Sequence, residues 1–197
     1  MTNIANKQIA EQFNIVSTKE LREAGIYYKL LQKMVEDGII EQVKRGYYQF
    51  VSENSISDVP VINRLFPDGV ICMESALNYY GYTDRTPDKW HIAVSNEASR
   101  SRFNISYPSV KAHFINPDRC SIGLCMGIID NHEVKVYDRE RTICDILLHR
   151  NKLDAEVFNE AIKRYVSDPN RNSANLIPYA KHLHVEKKVK EVLGIWL

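Results

Sequence analysis

Apolar residues recur at three- and four-residue spacing early in the chain, then give way to short alternating runs; each change of period predicts an element. A short helix is expected over residues 4–13, with Ile9, Ala10 and Phe13 turned inward. Ser17 followed three residues later by Glu20 is a capping box, so a second helix starts there, and Gly25 ends it in a sharp turn. A third helix is expected over 26–37, closed by Gly38, with Tyr27, Leu30, Leu31 and Met34 at i, i+3, i+4 and i+7 facing the core. Two apolar-polar runs follow, 39–43 and 47–51, with Lys44-Arg45-Gly46 in the turn between them. Helix, tight turn, helix and basic ribbon, in that order, predict a winged helix-turn-helix.

Beyond a polar, aperiodic linker over 52–60 the pattern changes. Short helices are expected over 61–66 and 74–80, each stopped by a glycine-bearing turn. Strands are expected over 90–94, 110–115, 124–129 and 133–137, the last two joined by a tight turn at Asp130-Asn131. Helical spacing returns over 139–149 and 155–166, with two shorter helices after Asn175 and Val185. Strands followed by helices, rather than strict alternation, predict an α+β second domain over 56–197, after a DNA-binding first domain over 1–55.

If the apolar side of the third helix is buried, its other side presents Tyr28, Lys29, Gln32 and Lys33. A glutamine can pair with adenine, a lysine with guanine acceptors or phosphate, and a tyrosine ring with the thymine methyl. Lys44 and Arg45 sit where a ribbon tip meets the flanking phosphates, Gly46 permits the turn, and Tyr47 begins the return strand. The expected partner is double-stranded DNA, through Tyr28, Lys29, Gln32, Lys33, Lys44, Arg45, Gly46 and Tyr47.

Overall charge adds nothing to this picture: the 197-residue chain carries +1 at pH 7, and in residues 1–55 seven basic side chains balance seven acidic ones. DNA affinity therefore has to come from where the charges sit. With 44% apolar and 26% charged residues, the composition is that of an ordinary globular protein. No long apolar run or hydrophobic leader is present, so a cytosolic protein with no membrane contact is expected. Cys72, Cys120, Cys125 and Cys144 form no C-x-x-C pair and read as buried reduced thiols; neither metal nor cofactor is expected.

The chain resembles the AbiEi family, antitoxins of type IV toxin–antitoxin systems of bacterial phage defence. The resemblance rests on TKELREAGIYYKLLQKMVEDGIIEQVKRGYYQF, with its leucine-bearing helix, Gly-Ile exit and Arg-Gly-x-Tyr wing. It continues in PDGVICMESALNYYGYT (67–83), WHIAVS (90–95) and VKVYDRERTICDIL (134–147), so it spans both domains. Membership implies that the first domain represses its own promoter at operator repeats. It also implies that the second counteracts a nucleotidyltransferase-like toxin, AbiEii, without a stable complex. The family supplies no catalytic residues, and this chain departs from it in a short first-helix region. A solitary regulator with no toxin stays open as an alternative.

A second alternative is enzymatic. Pro117-Asp118 precedes Glu133-x-Lys135 at a spacing compatible with the PD…(D/E)xK pattern of Mg²⁺-dependent nucleases. Glu-x-Lys is common in so charged a chain, and Asp118 has a conformational reason to stand in a turn. In DRERTICDIL, Asp138 is expected to cap a helix and Arg141 to pair with Asp145 on its surface. Two further basic groups, Arg100 with Arg102 and His182, His184, Lys187, Lys188 and Lys190, read as solvated faces more readily than as phosphate contacts.

Overall fold

The computed structural model describes residues 15–51 and 57–196 and divides the chain into two compact units. The first comprises the described residues up to Pro67 together with Arg100–Ser109; the second comprises Asp68–Ser99 and Val110 onward. The expected helix over 4–13 lies outside the described residues.

In the first unit β1 (Ile15–Ser17) runs into α1 (Thr18–Glu23), then α2 (Tyr28–Glu36), β2 (Ile40–Lys44), β3 (Tyr47–Phe50) and α3 (Val59–Leu65). The strands form an antiparallel sheet in the order β1-β3-β2, with Ser17 opposite Tyr47 and Ile40 opposite Phe50. β1 adds a third strand to the expected two-stranded ribbon; three residues are too short to show alternation in the sequence. Val16, Leu21, Ile26, Leu31, Met34, Ile40 and Phe50 make the core, with Leu30 and Tyr48 packed against it. Part of the expected linker is helical, since α3 starts at Val59.

The second unit is a mixed sheet ordered β6-β5-β4-β8-β7, built from β4 (Val70–Ile71), β5 (Trp90–Ser95), β6 (Val110–Ile115), β7 (Leu124–Ile129) and β8 (His132–Tyr137). Its helices are α4 (Met73–Tyr79), α5 (Pro117–Cys120), α6 (Arg139–Leu148), α7 (Ala155–Ser167), α8 (Ser173–His182) and α9 (Glu186–Leu193). β5 pairs parallel with β6, and the two-residue β4 sits between β5 and β8. Asp130 and Asn131 both take positive φ, the geometry of the tight β7–β8 hairpin. The fold is α+β, as expected.

α6 is the axle of this unit. Asp138 caps it by accepting from the Arg141 N–H at 2.8 Å. The Arg141–Asp145 pair is buried in the core rather than lying on a helix surface: Arg141 is 1% exposed. Its Nε donates to Asp145 at 2.9 Å, and its Nη1 donates to the carbonyls of Arg119 (2.7 Å) and Ile122 (2.9 Å). The guanidinium also lies 4.1 Å from the Tyr137 ring centroid. A charge taken so fully from water is tolerable only with its donors satisfied. At Gly123, whose φ is +71°, a Cβ would stand 2.4 Å from that of Arg141, so glycine is needed where the loop crosses the arginine. Cys72 and Cys144 are buried thiols; Cys120 and Cys125 are only partly covered, less than expected.

A histidine cluster lies on the same sheet. His91 and His113 on β5 and β6 stand 5.1 Å apart between ring centroids, and His149 is 6.4 Å from His113. Burial pulls His91 down to about 4 and His113 to about 3, with Lys111 pressing both the same way and Asp88 opposing it at His91.

Arg141→Ala leaves a buried carboxylate and two carbonyls without their donor; a loss of about 3–5 kcal/mol is expected in denaturant titration, and a loss under about 1 would contradict it. The two histidines are neutral when folded and titrate near 6.5 when unfolded, so their contribution is complete above about pH 6.5 and fades as pH falls toward their folded values. The unfolding midpoint should therefore drop between pH 7 and 4, and drop less in a His91→Gln/His113→Gln chain. Equal drops in the two chains would refute that assignment.

Candidate nucleic-acid interface

The interface is assembled from the start of α1 outward. Ser17, extended at φ −85°, ψ 157°, accepts from the Glu20 N–H at 3.2 Å, and Glu20 accepts in return from the Ser17 N–H at 2.7 Å. The Ser17 amide, then its hydroxyl and Arg64, hold the Glu20 carboxyl below its usual range. At the other end Gly25 takes φ +80° and Ile26 N–H returns to the Leu21 carbonyl at 2.8 Å, which turns the chain sharply into α2.

α2 buries Leu31 and Met34, with Leu30 half-covered. Tyr27 does not join them: it is 66% exposed, contrary to the periodicity. It is the N-cap, in extended conformation, so helical spacing does not govern where its ring goes, and Ile26 fills the core instead. Tyr27 and Tyr28 therefore form an exposed aromatic pair at the start of the helix, and Lys29, Gln32 and Lys33 are also exposed. Gln32 Nε2 donates to the Tyr28 hydroxyl at 2.7 Å, which pre-sets both side chains and lowers the ordering cost of a contact.

The wing turn is tied to α1. Gly46, at φ +85°, accepts from the Thr18 N–H at 2.8 Å. Arg45 is exposed at the tip, while Gly46 and Tyr47 are half-covered. Lys44 is also half-buried: its Nζ donates to the Arg102 carbonyl at 2.9 Å, and desolvation, with Arg102 nearby, lowers its pKa. Tyr28, Lys29, Gln32 and Lys33 are thus exposed on one side of α2, and Arg45 is exposed in the β2–β3 turn.

The other groups marked in the sequence do not assemble. Asp118 lies on α5, whose Cys120 carbonyl accepts from the Tyr137 hydroxyl at 3.1 Å, whereas Glu133 is near the opposite end of β8, about 13 Å along the strand. Among the described residues no three His, Cys, Asp or Glu side chains come together as a metal site. Lys188 donates to the Leu148 carbonyl at 3.0 Å and Lys190 pairs with Glu186 at 2.7 Å, which breaks up the basic tail. No described helix is long and apolar enough to cross a membrane. Sequence reasoning missed Ser106, which reaches the wing from more than sixty positions away with no local signal.

A capped helix, a glycine turn, a second helix with its polar face outward and an antiparallel β wing make up a winged helix-turn-helix fold. Residues 7–51 match the family model described as "Transcriptional regulator, AbiEi antitoxin", about a quarter of the chain. The fold matches the crystal structure of the RV2827C protein from Mycobacterium tuberculosis with a TM-score of 0.68 and 16% identity, over 96% of this chain and 79% of that one. At such identity the likeness concerns the fold. No curated protein matches the sequence.

Ser17→Ala removes the cap and should cost about 1 kcal/mol of stability in denaturant titration, with Ser17→Asp recovering most of it; an unchanged midpoint would show that the capping box does not hold the start of α1.

Proposed function

We propose that the chain is a DNA-binding autorepressor and antitoxin. The α2 face formed by Tyr28, Lys29, Gln32 and Lys33 enters the major groove, and the wing turn, built from Lys44, Arg45, Gly46 and Tyr47, brings a basic tip to the flanking phosphates. The observation that carries this reading is the placement of the exposed Tyr28–Gln32 pair at the start of a helix whose other side is fixed in the core. The match of residues 7–51 to a model described as a transcriptional regulator supports a regulatory role, here placed at the chain's own promoter. The second unit, on this reading, opposes a nucleotidyltransferase-like toxin in the cytoplasm without holding it in a stable complex.

The near-neutral module sets a quantitative expectation. With few cations on the interface, non-specific binding is weak and base contacts carry much of the discrimination. Fluorescence anisotropy with duplexes from upstream of the gene, read over a salt series, tests both halves. Lys29→Gln with Lys33→Gln should flatten the salt slope by about two and weaken all duplexes alike. Gln32→Ala should cost about 1–3 kcal/mol on the preferred duplex and little on a scrambled one. Should both variants bind every duplex as the wild type does, α2 is not the reading helix. For the toxin role, co-expression should restore growth of toxin-producing cells; continued growth arrest would remove the antitoxin assignment.

A further inference from the structure

β2 is the outer strand of the first unit's sheet, and its pairing with β3 is irregular. Gln42 faces Tyr48 and Lys44 faces Tyr47, which leaves Val43 as an extra residue on β2. A bulge of this kind bends and twists its strand and re-aims whatever follows. Here the following residues are the wing turn with Arg45. The Val43 carbonyl is met by Ser106, whose N–H donates at 3.3 Å and whose hydroxyl donates at 3.0 Å, with the Gln42 carbonyl 3.4 Å from the same hydroxyl.

Ser106 belongs to a segment seated on the first unit along its length. The Arg102 carbonyl takes the Lys44 ammonium at 2.9 Å, and the Arg102 guanidinium donates to the Leu65 carbonyl at 3.3 Å. That guanidinium lies 5.6 Å from the Phe66 centroid and 5.7 Å from that of Phe103, and the two rings stack 4.7 Å apart with planes 6° from parallel. The Tyr107 hydroxyl donates to Asp58. The segment is part of the connection between β5 and β6, so both its ends return to the second unit although Arg100–Ser109 belongs to the first.

We propose that residues 100–109 are a working part of the DNA reader. Ser106 is a positioning residue that fixes the Val43 bulge and so sets the aim of the wing, and Arg45, not Lys44, is the wing's phosphate-contacting cation. Lys44 acts as an anchor: its ammonium is committed to the Arg102 carbonyl at 2.9 Å. This inference rests on the reading of α2 and the wing as a DNA interface.

The test uses the full chain and two readouts. In amide hydrogen exchange on the free protein, Ser106→Ala should speed exchange at residues 44–47 by about three- to tenfold, the weight of one hydrogen bond, and leave α2 unchanged. In anisotropy over a salt series on the upstream duplex, Ser106→Ala should weaken binding by a similar factor with the slope unchanged, and Ser106→Thr, which keeps the hydroxyl, should restore it. Arg45→Gln should take about one unit off the slope, whereas Lys44→Gln should weaken binding and leave the slope as it was. Wild-type exchange or wild-type affinity in Ser106→Ala, or a slope that responds to Lys44 rather than Arg45, overturns the proposal. If Ser106→Ala does not fold, the Lys44 and Arg45 arms decide alone. A wild-type chain with no salt-dependent affinity for any duplex overturns the DNA reading and this proposal together; wild-type binding with indifferent Ser106 and Lys44 variants overturns this proposal only.

Discussion

Burial of Leu31 and Met34 against Val16, Leu21, Ile26 and Ile40 is the packing constraint on which the interface depends. Each such side chain stabilises by about 1.5–3 kcal/mol when fully covered. Turning α2 by one residue, about 100°, would expose them and push Gln32 or Lys33 into an apolar core without partners. The register of the helix is therefore fixed from its inner side, and the outward placement of Tyr28, Lys29, Gln32 and Lys33 follows from it. The Tyr28–Gln32 hydrogen bond then narrows what those side chains can do before any partner arrives.

The wing obeys a different logic. A two-stranded ribbon projecting from a three-stranded sheet is marginal on its own, so its tip has to be held. Thr18 holds it from the start of α1, through the Gly46 carbonyl, and Ser106 holds it from the far side at the Val43 bulge. The capping box at Ser17 thus has two effects: it starts α1 and places the Thr18 amide where the wing turn can use it. A comparable economy governs the second unit, where Arg141 satisfies two loop carbonyls and a carboxylate from within α6.

Much of this was legible in the residues, for identifiable reasons. Ser17 with Glu20, Gly25, and the hairpin at Asp130-Asn131 each carry a local rule that tertiary structure did not override. The longer strands of the second unit, and its helices other than α5, lie within a residue or two of their expected bounds, because their periods run long enough to be seen; α5 is a four-residue helix where the sequence suggests only a turn. β1 and β4 were not legible, since two or three residues show no period. Tyr27 misled because its side chain sits on a capping residue, outside the helical rule that its spacing seemed to satisfy. The burial of Arg141 is not visible in the residues, because an i, i+4 ion pair looks the same in sequence whether solvent or Tyr137 covers it. The contacts of Ser106 and Arg102 with the wing are long-range and leave no mark in sequence.

The most direct test of the central claim, that core burial fixes a reading face on α2 beside an anchored wing, is an NMR titration of the full chain with its upstream duplex. The account predicts amide shifts concentrated at residues 27–33 of α2 and 45–47 of the wing, with the buried positions 31 and 34 moving least within that helix. Shifts confined to the second unit, or none at saturating duplex, would contradict it.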